Sequence, residues 1–182
     1  IVWLARQVPK IQLGSLEFLS PGFIDCHIHA PQYSYTGTAT DKPLMQWLEA
    51  YTFPSERRLT DLERASKVYS AVLSRTLRHG TTTALYFATI HLAPCKLFAD
   101  LAVAAGQRAF IGKVCADRNS PADYIETTAD SLRDTREFAK YVQSLGSELV
   151  QPVVTPRFIP TCSIALLQGL GEIAKEHGLM IQ

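Results

Sequence analysis

Two histidines, His27 and His29, are separated by one residue at the end of the apolar segment 23–28. On a β-strand, residues two apart share a face and have Cβ atoms about 6.5 Å apart, so both imidazoles can approach one ion. Zinc binds imidazole nitrogen at about 2.1 Å, and a catalytic zinc site keeps one position open for water. A bound metal can lower the pKa of that water to about 7. The histidine pair therefore indicates a hydrolytic metal site.

The ordinary alternative is that both histidines are hydrogen-bonded polar residues at the end of a strand, because a bare His-x-His motif is short and has many false positives. The position of the histidine pair in the chain favours the metal-site interpretation. The pair ends a buried strand and precedes a long loop, which is where parallel barrels and open α/β sheets bind ligands. Two ligands do not complete the site, since a catalytic zinc has three protein ligands.

The elements that must hold this pair are predicted from the spacing of apolar residues, which changes repeatedly between two and about 3.6. The spacing predicts a long polar and aromatic loop over residues 31–58 with a short helix near 44–51. A capping box from Thr60 to Glu63 predicts the start of a helix that ends at Gly80, and Ser163 predicts the cap of a helix that ends at Gly178. The remaining elements are helices at 96–105 and 128–145 and strands at 23–28, 81–90, 108–115, 150–158 and from 179 onward.

Strands that alternate with helices predict an α/β fold with a parallel sheet, either doubly wound or a (β/α)8 barrel. A barrel needs about 250 residues, so under that interpretation this chain is a partial (β/α)8 TIM barrel with about five strands. Residues 1–20, with strand-like WLARQV and LEFL, are interpreted as the remnant of an N-terminal β element, and 21–182 as the N-terminal part of the barrel. The first residue is not Met and the last residues are LMIQ, so we expect a fragment.

Composition excludes several classes of function. The 182 residues have a formal net charge of +1, which gives no reason to expect binding to nucleic acid or to an anionic membrane. No apolar run approaches the roughly 20 residues that span a bilayer. The four cysteines are far apart, as is typical of free thiols in a reducing compartment. We therefore expect a cytosolic protein.

Several segments resemble the guanine deaminase family of the amidohydrolase superfamily. They are PGFIDCHIHAPQYSY, HGTTTALYFATIH, QRAFIGKVC and VTPRF. The Pro-Gly-Phe-Ile-Asp-x-His-x-His element marks only the superfamily, whereas HIHAPQY, YTFP and TPRF are specific to this enzyme type. The resemblance implies an amidohydrolase-type barrel, one catalytic zinc ion, homodimers, and hydrolysis of guanine to xanthine and ammonia.

The resemblance also implies roles for individual residues. His27 and His29 correspond to zinc ligands, and the guanine pocket is lined by His29, Ala30, Gln32, Arg157 and Phe158. Guanine presents O6 and N7 as adjacent acceptors, which an arginine fork can meet with two donors. Without the resemblance, the short motif favours a structural ion pair for Arg157 and a core position for Phe158. Adjacent strand residues face opposite sides, so at least one of the two lies past the strand end.

No catalytic acid or base is predicted within the chain. The resemblance places a third zinc ligand and the proton-shuttling glutamate in a His-x-x-Glu element, expected beyond Gln182. Asp25 is at most an acceptor that orients one histidine, and the fragment by itself is expected to be inactive. Two alternatives stay open, a deaminase for another cyclic amidine and a non-catalytic scaffold with the same fold. Substrate profiling tests the first, and the presence of His-x-x-Glu tests the second.

Overall fold

A four-stranded parallel sheet forms the centre of the computed structural model, which describes residues 9–182. The strands pair in chain order, β1-β2-β3-β4, and each crossover contains a helix. Parallel strands joined by helical crossovers are the unit from which parallel barrels are built. The strands are β1 (Phe23–His29), β2 (Thr81–Phe87), β3 (Arg108–Cys115) and β4 (Val150–Pro156).

Four long helices pack against the sheet, and two short ones lie in the loop after β1. The core between sheet and helices includes Tyr69 and Phe98, whose ring centroids are 4.1 Å apart in a stacked pair. None of the helices described in residues 9–182 is long and apolar enough to cross a membrane. The helices are α1 (Leu44–Trp47), α2 (Phe53–Arg57), α3 (Leu62–Arg78), α4 (Leu92–Ala105), α5 (Thr128–Ser144) and α6 (Ile164–His177).

The loop after β1 is more helical than the sequence predicts. A 3-10 turn covers Ala30–Tyr35, and the short helix expected near residues 44–51 is present as α1 followed by a π-helical turn, Leu48–Thr52. Helix α2 and a second 3-10 turn, Arg58–Thr60, continue to the start of α3. This segment brings residues 53–57 over the carboxyl end of the sheet.

Several predicted ends of elements are wrong by a few residues. Strand β2 ends at Phe87 instead of 90, and β4 ends at Pro156 instead of 158. Helix α4 begins at Leu92 instead of 96. Pro94 lies in its first turn, where a backbone N–H would have no partner within the helix, so proline is tolerated there. The fifth strand is present only as a parallel bridge between Val154 and Ile181.

The cap of α3 also differs from the prediction. The Asp61 carboxylate, not the Thr60 hydroxyl, accepts from the backbone N–H groups of Glu63 at 2.9 Å and Arg64 at 3.3 Å. Thr60 belongs to the preceding 3-10 turn, and its hydroxyl donates to the Arg57 carbonyl. The Ser163 cap of α6 is confirmed, since its hydroxyl accepts from the Leu166 N–H at 3.1 Å.

The described residues 9–22 before β1 add no strand to the sheet. Of its two strand-like pieces, WLARQV lies outside the described residues, and LEFL is exposed and has no regular secondary structure. The separate N-terminal β element therefore stays a prediction.

Candidate functional site

The two histidines of the sequence motif converge at the carboxyl end of β1. Their Nε2 atoms are 3.0 Å apart. Two nitrogens that each lie about 2.1 Å from one tetrahedral ion are about 3.4 Å apart, so the observed separation is close to that of two ligands on one metal. The strand thus gives His27 and His29 the shared face that their spacing predicts.

Neighbouring residues hold the two imidazoles in place. The Gln182 side-chain amide donates to the Tyr86 carbonyl at 3.2 Å and to the Thr155 hydroxyl at 2.9 Å. Its oxygen then faces His27 Nδ1 at 3.3 Å. A proton on Nδ1 leaves the lone pair of His27 on Nε2, where a metal would bind. His29 stacks on Phe87, with ring centroids 4.0 Å apart and the planes 19° from parallel.

The surroundings of His29 favour its neutral form. Burial lowers the pKa of His29 to about 4, and the charges of His27 and Arg157 act in the same direction. A metal binds only an imidazole that has lost its second proton. The Nδ1 atom of His29 is buried and has no hydrogen-bond partner within residues 9–182. A neutral His29 whose Nε2 converges with that of His27 therefore fits a zinc ion.

The ligand set is not complete in the described part of the chain. Residues 9–182 contain no group of three His, Cys, Asp or Glu side chains that are placed to hold a metal ion. Asp25 does not orient a ring, because its carboxylate accepts from the backbone N–H of His27 at 3.1 Å. Its effect is to fix the end of the strand, not the imidazole.

Arg157 lies just beyond β4 and forms a buried ion pair with Glu56. Its Nη1 is 2.7 Å from Glu56 Oε2 and its Nη2 is 3.5 Å from Oε1, and the two side chains are 5 % and 0 % exposed. The guanidinium also lies 4.9 Å from the ring centroid of Phe53 and 5.6 Å from that of Phe87. Because Phe87 stacks on His29, the arginine and the histidine pair belong to one site.

Glu56 is a site residue that the sequence does not indicate. Burial raises the pKa of Glu56, and the charge of Arg157 counteracts this shift. An arginine carries five N–H donors, and Glu56 accepts from two of them, so three are not used by this pair. The structural ion pair considered as the alternative role of Arg157 is therefore present.

The other predicted pocket residues lie at the same edge of the sheet. Arg157 and Phe158 are both past the end of β4, where the parity argument requires at least one of them. Phe158 is 47 % exposed and therefore is not a core residue. Ala30 is buried at the start of the 3-10 turn. Gln32 lies half-buried in that turn, and its side-chain amide makes no hydrogen bond to any described residue.

Comparison with known proteins places this site in a family. Residues 18–182 match the model of the amidohydrolase family. The chain belongs to that family. It is 53 % identical over 177 residues to the guanine deaminase of Dictyostelium discoideum, an alignment that covers 97 % of this chain and 39 % of the relative. It is 46 % identical over 181 residues to the human guanine deaminase, covering 99 % and 40 %.

A solved structure confirms the fold. The guanine deaminase of C. acetobutylicum, crystallised with guanine in its active site, superposes with a TM-score of 0.86 at 36 % identity and covers 89 % of this chain. The alignment covers 38 % of that protein, so the chain spans about two fifths of the length of these relatives. The α/β fold and the partial amidohydrolase barrel predicted from the sequence are confirmed.

Proposed function

We propose that this chain supplies the first metal ligands and part of the substrate pocket of a zinc-dependent guanine deaminase, which converts guanine and water to xanthine and ammonia. The observation that supports this most directly is the pair of converging imidazoles next to a buried, preorganised arginine. The relatives described above agree, since each is named a guanine deaminase.

Each residue of the site has a defined task in this proposal. His27 and His29 hold one zinc ion, which when bound makes hydroxide available at neutral pH. Arg157 directs its remaining N–H groups at O6 and N7 of guanine, and Glu56 fixes the orientation of the guanidinium. Gln32 offers a free side-chain amide, and the exposed ring of Phe158 provides a wall for the planar base.

Proton transfer needs a further group. Hydrolytic deamination requires a base for the water proton and an acid for the departing ammonia. Asp25 and Glu56 are engaged with the His27 backbone and with Arg157. We therefore keep the proposal that the acid–base glutamate belongs to a His-x-x-Glu element beyond Gln182, and that residues 1–182 by themselves do not turn over guanine.

The test is a zinc and ammonia measurement on the complete protein that contains this chain. We expect zinc in the purified protein and ammonia release from guanine, with both lost in His27→Ala and His29→Ala. His79→Ala is the matched control, because His79 is exposed at the C-terminus of α3. A metal-free complete protein, or a His27→Ala variant that still releases ammonia at the wild-type rate, would exclude the proposal.

The identity of the base is tested separately. Adenine carries a donor where guanine has the O6 acceptor, so the donors of Arg157 would face another donor. A site built around hydrogen bonds rejects an analogue that cannot make them by about 10⁴-fold or more. We expect that preference in kcat/KM for guanine over adenine, and its loss in Arg157→Met. A broad preference among cyclic amidines would instead support a deaminase with another substrate.

A further inference from the structure

A second cavity lies outside the candidate active site. It has a volume of about 390 Å³ and lies between the helical segment 50–59 and the first turns of α3. Glu56 points from this segment toward Arg157, whereas Ser55 and Arg58 line the cavity on the other side. The cavity is therefore separate from the histidine pair, although the same segment borders both.

The charge of the cavity is positive and unpaired. Arg58 and Arg64 line it, and none of its lining residues is acidic. Within residues 9–182, neither guanidinium makes a hydrogen bond or a salt bridge, whereas the adjacent Arg57 pairs with Asp123. Tyr51 and Ser55, which carry hydroxyl groups, also line the cavity. A cavity with two free guanidiniums and no carboxylate favours an anion.

The backbone at this place has an unusual conformation. The turn Leu48–Thr52 is π-helical, a rare conformation that occurs mostly as single turns at functional sites. It places Ala50 and Tyr51 on the cavity wall, and the Tyr51 ring stacks on Tyr35 with centroids 6.3 Å apart.

The size and the remaining lining define the ligand further. Arginine forks match the geometry of phosphate oxygens. The cavity volume lies within the range of small-molecule sites and exceeds what a single ion fills. Leu59 and Val68 give it an apolar side. We propose that this cavity binds a phosphate group between Arg58 and Arg64, with Leu59 and Val68 in contact with the rest of a small phosphomonoester.

The test is titration calorimetry on the complete protein with inorganic phosphate and with phenyl phosphate as probes. We expect saturable binding of phenyl phosphate and weaker binding of phosphate. Arg58→Gln and Arg64→Gln should each weaken binding of phenyl phosphate about tenfold, as for loss of one charged hydrogen bond. Arg78→Gln removes an exposed arginine at the end of the same helix α3 and should leave binding unchanged. Equal affinity for the two probes would assign the site to free phosphate.

Two controls separate this site from the metal site and from folding defects. Binding should persist in His27→Ala if the arginines hold the phosphate. A phosphate bound to zinc at the histidine pair would instead be lost in this variant. In the wild-type protein, phenyl phosphate should protect Arg58 and Arg64, but not Arg78, from phenylglyoxal. The absence of saturable binding, equal binding by Arg58→Gln and Arg78→Gln, or modification of all three arginines at unchanged rates would each overturn the proposal.

Discussion

At the scale of single residues, we expect the largest change in stability and substrate binding when the ion pair of Glu56 and Arg157 is broken. Glu56→Gln leaves the buried guanidinium without its counter-charge, and breaking a buried pair in this way costs about 3–5 kcal/mol. Because the orientation of Arg157 is lost as well, KM for guanine should rise more than kcat falls. Urea unfolding and steady-state kinetics of the complete protein measure the two effects.

The matched control for that variant is Glu63→Gln. Glu63 pairs with Lys67 at 2.6 Å on the exposed face of α3, and an exposed pair contributes at most about 1 kcal/mol. If the Glu56 and Glu63 variants had the same stability and the same KM, the buried pair would have no positioning role.

His91 gives a prediction about pH. Burial lowers the pKa of His91 to about 4, and the charge of Lys113 acts in the same direction. Between pH 6.5 and 4, His91 therefore binds more protons in the unfolded chain than in the folded one. Its contribution to the free energy of unfolding falls as pH falls through this window. His91→Gln should reduce that slope. Urea unfolding of the wild-type protein and the variant at several pH values checks this, and identical slopes in the two would contradict it.

The sequence predicts some of these residues and not others for a clear reason. The spacing of His27 and His29 on one strand is local, so strand parity alone predicts their convergence. Glu56 and Arg157 are 101 positions apart, and His27 and Gln182 are 155 apart. Such pairings depend on the path of the whole barrel wall, which no local pattern contains.

At the scale of elements, the cap of α3 offers a direct comparison of prediction and structure. Asp61→Ala removes the carboxylate that accepts from two backbone N–H groups, and loss of an N-cap costs about 1 kcal/mol. Thr60→Ala removes only a hydroxyl that donates to the Arg57 carbonyl, and should change stability by less than about 0.5 kcal/mol. Thermal unfolding of both variants checks this order. A larger loss of stability for Thr60→Ala would instead support the capping box that the sequence predicts.

The types and order of the elements follow from sequence, whereas their ends do not. Apolar periodicity predicts five strands and the long helices, because each element must bury apolar side chains between the sheet and the helices. Four of these strands form, and the fifth is present only as the bridge at Ile181. An end is set by local competition between hydrogen bonds. Thr60 joins the preceding 3-10 turn, which leaves Asp61 as the cap, and β4 ends at Pro156, so that Arg157 and Phe158 follow the last residue of the strand.

At the scale of the whole molecule, the sheet is open along β1. Among residues 9–182 no strand pairs with the outer edge of β1, and Phe23 and Ile24 on that strand are 68 % and 69 % exposed. An unpaired, apolar edge strand is a template for pairing with another chain. The 182-residue chain by itself should therefore self-associate, in contrast to the complete protein, in which we expect further strands to cover this edge.

A charge placed on that strand tests the cause of the association. Ile24→Lys should shift the isolated chain toward monomer, because a strand edge that carries lysine does not pair readily with a second copy. Leu62→Lys is the control, since Leu62 is also exposed but lies at the start of α3, away from the strand edge. Size-exclusion chromatography with light scattering at several concentrations measures both variants. Equal self-association of the Ile24→Lys and Leu62→Lys variants would show that the surface responsible for association is not the edge of β1.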